Sequence, residues 1–410
     1  MRGLGTGQPG RSDRAGRSGR YRVLVVAPTP FFADRGCHVR IYEEIRALQA
    51  LGHEVEVCTY HLGDERPGIK THRTLRIPWY KKLAAGPSWH KLYLDLLLLA
   101  RTWRVGRRFR PDLIHGHLHE GAAIGWLVGR LLGVPVVGDF QGSLAGEMQA
   151  HRFIPARGWV RRFVAHNEGW IDRLPDVAVA SCSDVAEELR GFGVSEAIVA
   201  LDGVDTETFR PGLDGGELRG LVPPGRRAVV YLGILSPYQG VDHLLEAVPL
   251  VLDRVPEAFF LLMGYPDEER YRQKARDLGL EGHVAFPGRV DYDRAAHYLA
   301  LGEVAVGPKL SETESNGKLY NYMACALPTV AFDTPPSREI LGDLGVYAPA
   351  GDVQALAEAI AGLLQDPEGA RALGQRLRRR VIECFSWENT ARQLLKAYAR
   401  AGAGGKGRDR

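Results

Sequence analysis

Three consecutive segments near the start of this 410-residue chain fix what it can fold into. YRVLVVAPTP (21–30) is a short β-branched run ending in a Pro-containing loop, HVRIYEEIRALQALG has helical periodicity, and HEVEVCTY is a second strand. Strand, helix and strand in that order argue for a parallel, doubly wound sheet. The pattern goes on through DLIHGH (112–117), an apolar helix from Ala122 to Leu132, VPVVGDF (134–140) and VAVASCS (177–183). A second series then begins, with RAVVYLGIL (227–235), AFFLLMG (258–264), HVAFPG (283–288), EVAVGPK (303–309) and LPTVAFD (327–333). The chain is too long for one hydrophobic core, so the two series predict two Rossmann-like α/β domains, at 21–209 and 227–386. The Gly/Pro-rich stretch at 210–226, without strong periodicity, reads as the linker. A last helix is expected at 387–401 after FSWEN, with Ser386 as its N-cap, crossing back to the first domain. In open α/β sheets ligands bind outside the carboxyl ends of the strands, so two such domains facing each other enclose a cleft with one reactant on each side. Many functions use this architecture, and it does not choose among them.

Charge and cysteine usage narrow the classes. The formal net charge is +4, but residues 1–20 carry five arginines against Asp13, and the tail at 402–410 adds Lys406, Arg408 and Arg410 against Asp409. The basicity therefore sits in the ends, the body is slightly acidic, and a nucleic-acid-binding body is not expected. Residues 1–20 are Gly/Arg-rich without an apolar run and read as a disordered extension. The five cysteines show no CxxC spacing, which points to a reduced, cytoplasmic protein without a zinc–cysteine cluster. No stretch has the roughly 18 uninterrupted apolar residues of a membrane span.

The densest chemistry lies in GPKLSETESNGKLYNYMACALPTVAFD (307–333). It reads as a strand end, a polar loop and a helix expected to begin near Asn316, with Ser315 or Asn316 as cap and Gly317 permitting close approach. Lys318 and Asn321, three apart, share a face, while Leu319 and Met323 form the face that packs on the sheet. A lysine at that helix start is unfavourable unless an anion sits beside it, so it is a candidate phosphate contact; its alternative is an exposed lysine on a surface helix. GK followed by Leu is not a P-loop. At the end of DLI, HGHLHEG (115–121) puts His117 and His119 at the expected cleft edge. DFQGSLAGEM (139–148) offers Asp139, Gln141 and Ser143 as contacts for acceptor hydroxyls, or equally a polar βα turn capped by Ser143. In ADRGCHVR (33–40), Gly36 lets a substrate approach the backbone and Arg35 is a candidate anion contact. Finally, WHKLYLDLLLLARTWRVGRRFRPD (89–112) reads as either a packing helix or a basic amphipathic helix for an anionic membrane surface.

The segments LGHEVEV (51–57), LDGVDTETFRP (201–211), GVDHLLEA (240–247), FPGRV (286–290), MACALPTVAFD (323–333), GDVQALAEAIAGLLQDPE (351–368) and FSWEN (385–389) together resemble glycosyltransferase family 4, across nearly all of 21–401. The resemblance implies the GT-B fold and sugar transfer from a nucleotide diphosphate sugar with retention of configuration, requiring neither a cofactor nor a metal. It implies donor contacts at Gly233, Gln239, Gly240, Arg289, Glu312, Glu314, Ser315, Asn316, Gly317 and Asn321, besides Gly36 and Arg35, and it makes His117 the histidine that contacts the donor sugar. His117, His119 and Lys318 are thus the candidate catalytic residues, and the acceptor is a glycan, lipid-linked or small-molecule hydroxyl. The chain departs from the family where the donor diphosphate is held. Ile234 and Gln239 stand where the family tends to have Arg and Lys, and Asn321 stands where it has a glutamate, with Glu312 or Glu314 for the other glutamate. The expectation is that Lys318, helped by Lys309 and Arg35, has taken over the positive charge. A catalytically inactive binding protein and a sugar-nucleotide epimerase on the same fold remain alternatives.

Overall fold

The computed structural model describes residues 19–33, 36–81, 89–150, 158–312 and 314–404. Most of the extension expected at 1–20, most of the tail at 402–410 and Arg35 lie outside them.

The first domain runs β1 (Arg22–Ala27), α1 (Gly36–Ala50), β2 (Glu54–Thr59), β3 (Lys70–Arg73), α2 (Lys91–Phe109), β4 (Leu113–His117), α3 (Leu118–Leu132), β5 (Val136–Phe140), α4 (Leu144–Ala150), α5 (Trp159–Ile171), β6 (Val177–Ala180), α6 (Ser183–Gly191) and β7 (Ala197–Val199). The second runs β8 (Arg227–Leu232), α7 (Val241–Leu252), β9 (Ala258–Met263), α8 (Glu268–Asp277), β10 (Val284–Gly288), α9 (Ala295–Leu299), β11 (Val304–Gly307), α10 (Lys318–Ala324), β12 (Thr329–Phe332), α11 (Pro335–Leu341), β13 (Val346–Ala348), α12 (Val353–Gln365) and α13 (Pro367–Cys384). The last helix, α14, spans Trp387–Gly404.

Both sheets are parallel, with order β3-β2-β1-β4-β5-β6-β7 in the first and β10-β9-β8-β11-β12-β13 in the second. Strand order reverses between β1 and β4 and again between β8 and β11, and loops diverging from such a switch point leave a crevice at the carboxyl ends. Because helices cover both faces of each sheet, the central strands are buried apolar runs: Val23 to Ala27 of β1 and Ala258 to Met263 of β9 are buried throughout.

Helix α14 does cross back. Its Ala391, Leu394, Ala397, Tyr398 and Ala401 are buried in the first domain's core with residues of β1 and α1. The return is pinned where two of the family-like segments meet: Val204 N–H donates to the Phe385 carbonyl (3.2 Å), and Thr390 Oγ1 donates to the Leu201 carbonyl (2.7 Å). Other contacts between the domains are polar as well as aromatic, with Tyr292 against the rings of Phe32 and Tyr42. Arg66 pairs with Asp293 (2.7 Å), Ser183 Oγ donates to Glu339 (2.5 Å), and Tyr265 donates to the Ala33 carbonyl (2.5 Å). No helix among the described residues is long and apolar enough to cross a membrane.

Candidate active site

The carboxyl ends of the two sheets enclose a cavity of about 640 Å³. The loops after β8 and β11 form one wall, and the first turns of α1 and α3 with the loop after β5 form the other.

On the second-domain wall, β11 ends at Gly307 and the chain turns through a polar loop into α10, which begins at Lys318 rather than near Asn316. The expected caps are otherwise engaged: Ser315 Oγ donates to Asp202 (3.1 Å), and Asn316 Nδ2 donates to the Gly307 carbonyl (3.2 Å). Lys318 folds back across the crevice to the turn after β8. Its Nζ donates to Gln239 Oε1 (2.5 Å) and to Asn316 Oδ1 (3.3 Å) and lies 5.3 Å from the centre of the Tyr231 ring. Gly233, at φ +154°, makes room for this: a Cβ there would stand 2.8 Å from Lys318 Cε. The lysine's ammonium thus reaches the turn that carries Ile234 and Gln239. Burial, with help from Lys309 and against the pull of Glu314, brings the Lys318 ammonium down to about 7.

Lys309 is also buried, and its Nζ bonds Glu314 (2.7 Å) and the Ser315 carbonyl (2.8 Å). Glu314, which also accepts from Tyr238, is a partner of Lys309 and not a free donor contact. Glu312, Gly317 and Asn321 line the cavity, whereas two other expected donor contacts do not. Arg289 pairs with Asp64 (3.1 Å) and lies 5.6 Å from the centre of the Tyr265 ring. Gly240 is walled off by the Pro308 carbonyl, 1.8 Å from where its Cβ would be.

On the first-domain wall, the expected residues are rearranged by an arginine that sequence reasoning passed over. Arg40 of α1 is buried with Nε and Nη2 on Asp139 (3.0 and 2.9 Å) and Nη1 on Asp202 (2.7 Å) and the Ala200 carbonyl (3.0 Å). Glu44, one turn along α1, lies 3.0 Å from its Nε. Asp139 cannot serve an acceptor: it has no exposed surface, and its oxygens go to Arg40, to His117 Nδ1 (2.8 Å) and to Gln141 Nε2 (3.0 Å). Burial works to raise its carboxyl, but Arg40 and His117 hold it well below the usual carboxylate range. His117 is correspondingly behind the wall, stacked on His115 at 4.4 Å, and does not line the cavity. Ser143 Oγ accepts from the Gly146 N–H (3.2 Å), as a capped turn requires.

His119 does line the cavity, but its Nε2 faces Glu168 (3.5 Å) and Asp172 (3.4 Å). Burial lowers this imidazole to about 4. Leu118, which precedes it, sits at φ +60°, a left-handed conformation that a leucine adopts only under constraint, at the abrupt turn from β4 into α3. Gly36 opens α1 on the cavity with empty space where a Cβ would be, and Gln141 faces the same space. Polar residues lining this wall include Gln141, Ser143 and the Lys91–Glu120 pair (2.6 Å).

Comparison with known proteins agrees with this geometry. A family profile described as "Glycosyl transferase 4-like domain" matches residues 35–201, and one described as "Glycosyl transferases group 1" matches residues 226–366. The chain is 27% identical to a phosphatidyl-myo-inositol mannosyltransferase of Mycolicibacterium smegmatis over 92% of this chain and 93% of that one. It is 28% identical to an MMP alpha-(1->4)-mannosyltransferase of Mycolicibacterium hassiacum, over 93% of this chain and 98% of that one. Among solved structures, the sucrose-phosphate synthase of Thermosynechococcus elongatus superposes with a TM-score of 0.79 at 22% identity, covering 94% of this chain and 100% of that one. Anabaena HepE in complex with UDP and glucose superposes with a TM-score of 0.75 at 15% identity, covering 92% and 99%.

Proposed function

The chain belongs to glycosyltransferase family 4, with the GT-B fold, and we propose that it transfers a sugar from a nucleotide diphosphate sugar to a hydroxyl acceptor with retention of configuration. The observation that carries this is the position of Lys318. A departing diphosphate concentrates negative charge at one end of a narrow crevice, and it needs positioned positive charge there. Ile234 brings none and Gln239 brings only an amide, yet the lysine's Nζ sits at that same turn, 2.5 Å from Gln239. In this reading Gln239 is a placeholder ligand that exchanges for a phosphate oxygen. Helix α10 has only seven residues, so the charge comes from the side chain and not from the helix.

The acceptor enters along the opposite wall, over Gly36, Gln141 and Ser143. It attacks from the leaving-group face, and a phosphate oxygen of the donor takes its proton. No protein base is needed, in keeping with His117 being buried and His119 turned aside. Arg40 holds Asp139 and Asp202 rigid, and Asp202 in turn fixes Ser315 in the donor loop. The two walls are thereby linked through one buried network. Glu312 and Asn321 are left to hydrogen-bond the sugar and the ribose. The test is release of nucleoside diphosphate from a panel of nucleotide diphosphate sugars, faster with acceptor, with the anomeric configuration of the product read by NMR. A bound donor that is neither hydrolysed nor transferred would instead mark an inactive binding protein.

One observation favours a lipid-borne acceptor reached from a cytoplasmic membrane face. Helix α2 packs with Leu94, Leu98, Thr102, Val105 and Phe109, yet its outer side exposes Leu92 and Leu96 (both 67%) and Trp103. Arg104, Arg107 and Arg108 flank them and are exposed as well. An apolar strip bordered by arginines suits shallow binding to an anionic lipid surface.

A further inference from the structure

Beside the cavity, but outside the machinery just described, His119, Glu168 and Asp172 bring three potential ligand atoms within 4.8 Å of one another. All three side chains are buried. Glu168 and Asp172 are four residues apart on one face at the end of α5, where two carboxylates repel each other, and Glu188 adds a third negative charge nearby. Neither nearby cation bonds the cluster: Lys91 pairs with Glu120, and Arg173, whose charge only partly offsets Asp172, donates its Nε to the Gly169 carbonyl (2.7 Å). Asp172 is 2% exposed, and its Oδ1 accepts no hydrogen bond among the described residues although it points at His119 Nε2. A buried carboxylate oxygen without a donor is costly unless a proton or a cation completes it.

We propose that His119 Nε2, Glu168 and Asp172 form a binding site for a divalent cation of zinc type. The spacing fits: zinc bonds of about 2.0–2.1 Å at tetrahedral angles put ligand atoms about 3.3–3.4 Å apart. Nε2 lies 3.5 Å from Glu168 Oε1 and 3.4 Å from Asp172 Oδ1. The ligand set is one imidazole and two carboxylates, which neutralises the ion's charge. The surroundings orient the ligands as metal sites require. Glu168 accepts from the N–H groups of Leu144 (2.6 Å) and Ala145 (3.0 Å), and the His119 ring lies 5.3 Å from that of Phe140. Bound there, the ion would tie α3, α4 and α5 together behind the acceptor wall. The other histidine–carboxylate group, Glu44, His115, His117 and Asp139, already holds Arg40 at its centre and is not available to a cation.

The test uses the untagged full-length chain stripped with a chelator and titrated with zinc chloride. The expected result is one zinc per chain by elemental analysis and a rise in Tm. X-ray absorption should give one imidazole nitrogen among oxygen ligands. Asp172→Asn, which keeps the shape and removes a charge, should fold in zinc-free buffer and lose at least about a hundredfold in zinc affinity; His119→Gln provides the same comparison if Asp172→Asn does not fold. Failure of the wild-type chain to bind zinc overturns the proposal and leaves a shared proton as the bridge. Equal binding by wild type and both variants overturns it as well.

Discussion

If Lys318 binds the donor diphosphate, donor binding must take up a proton. Burial holds the free lysine at about 7, and a phosphate oxygen replacing Gln239 returns it to the ammonium form. The uptake is one minus the fraction already protonated, so it is about 0.9 proton at pH 8 and about 0.1 at pH 6. The sign follows: the protonated lysine is the binding form, so affinity is fully present below pH 7. It weakens by up to about tenfold per pH unit above that, until the pKa of the bound state is reached. Calorimetry of nucleoside diphosphate binding at pH 8, in buffers of different ionisation enthalpy, reads the uptake directly as a slope. Lys318→Met should abolish the slope and, by removing a charge-assisted hydrogen bond worth about 1.5–3 kcal/mol, weaken binding by about ten- to a hundredfold. An unchanged slope in Lys318→Met, or no slope in the wild type, would refute the reasoning.

Other outcomes follow from the same geometry. Lys318→Met should raise the Tm of the ligand-free protein below pH 7. The folded lysine is depressed relative to the unfolded one, so charging it opposes folding, and that penalty shrinks as pH rises from 7 towards 10.5. Each ~1 kcal/mol relieved is worth about 2–4 °C in a scanning experiment. Arg40→Met leaves Asp139 and Glu44 buried without their cation and should destabilise the fold by about 3–5 kcal/mol in urea denaturation, with donor-side changes only secondary to that loss. Gly233→Ala puts a Cβ against Lys318 Cε at a positive φ; a loss of stability together with weakened nucleotide affinity in the folded protein is expected, and unchanged affinity would contradict the assigned site. Leu92→Ser with Leu96→Ser should reduce sedimentation with vesicles rich in anionic lipid, whereas equal recovery with neutral vesicles would argue against the surface.

The central strands were legible because parallel sheets buried on both faces leave long apolar runs, as in β1, β8 and β9. The strands missed, β3, β7 and β13, are three or four residues long, and β3 (Lys-Thr-His-Arg) is a polar edge with no apolar signature. The charge displacement from positions 234 and 239 was readable as a coincidence of residue types, but the contact joining Lys318 to Gln239 spans 79 residues and needs the fold. The helix start was misplaced by two residues because Ser315 and Asn316 have capping chemistry that the structure spends on Asp202 and Gly307. The buried network was the largest omission. Arg40 pairs with Asp139 and Asp202 across 99 and 162 residues, and the one local sign was an arginine and a glutamate four apart on a helix face that also carries Ile41, Ile45 and Leu48.

The account rests most directly on whether this cleft recognises a nucleotide diphosphate through Lys318. A thermal-shift screen of the wild-type chain and Lys318→Met against uridine, adenosine, guanosine and thymidine diphosphates, and their sugars, decides it, since a ligand that binds only the folded state stabilises it increasingly as its concentration exceeds its dissociation constant. The expected result is a concentration-dependent rise in Tm for at least one base in the wild type, largely lost in the variant. No rise with any of them at millimolar concentration, or an equal rise in both proteins, would contradict the assignment.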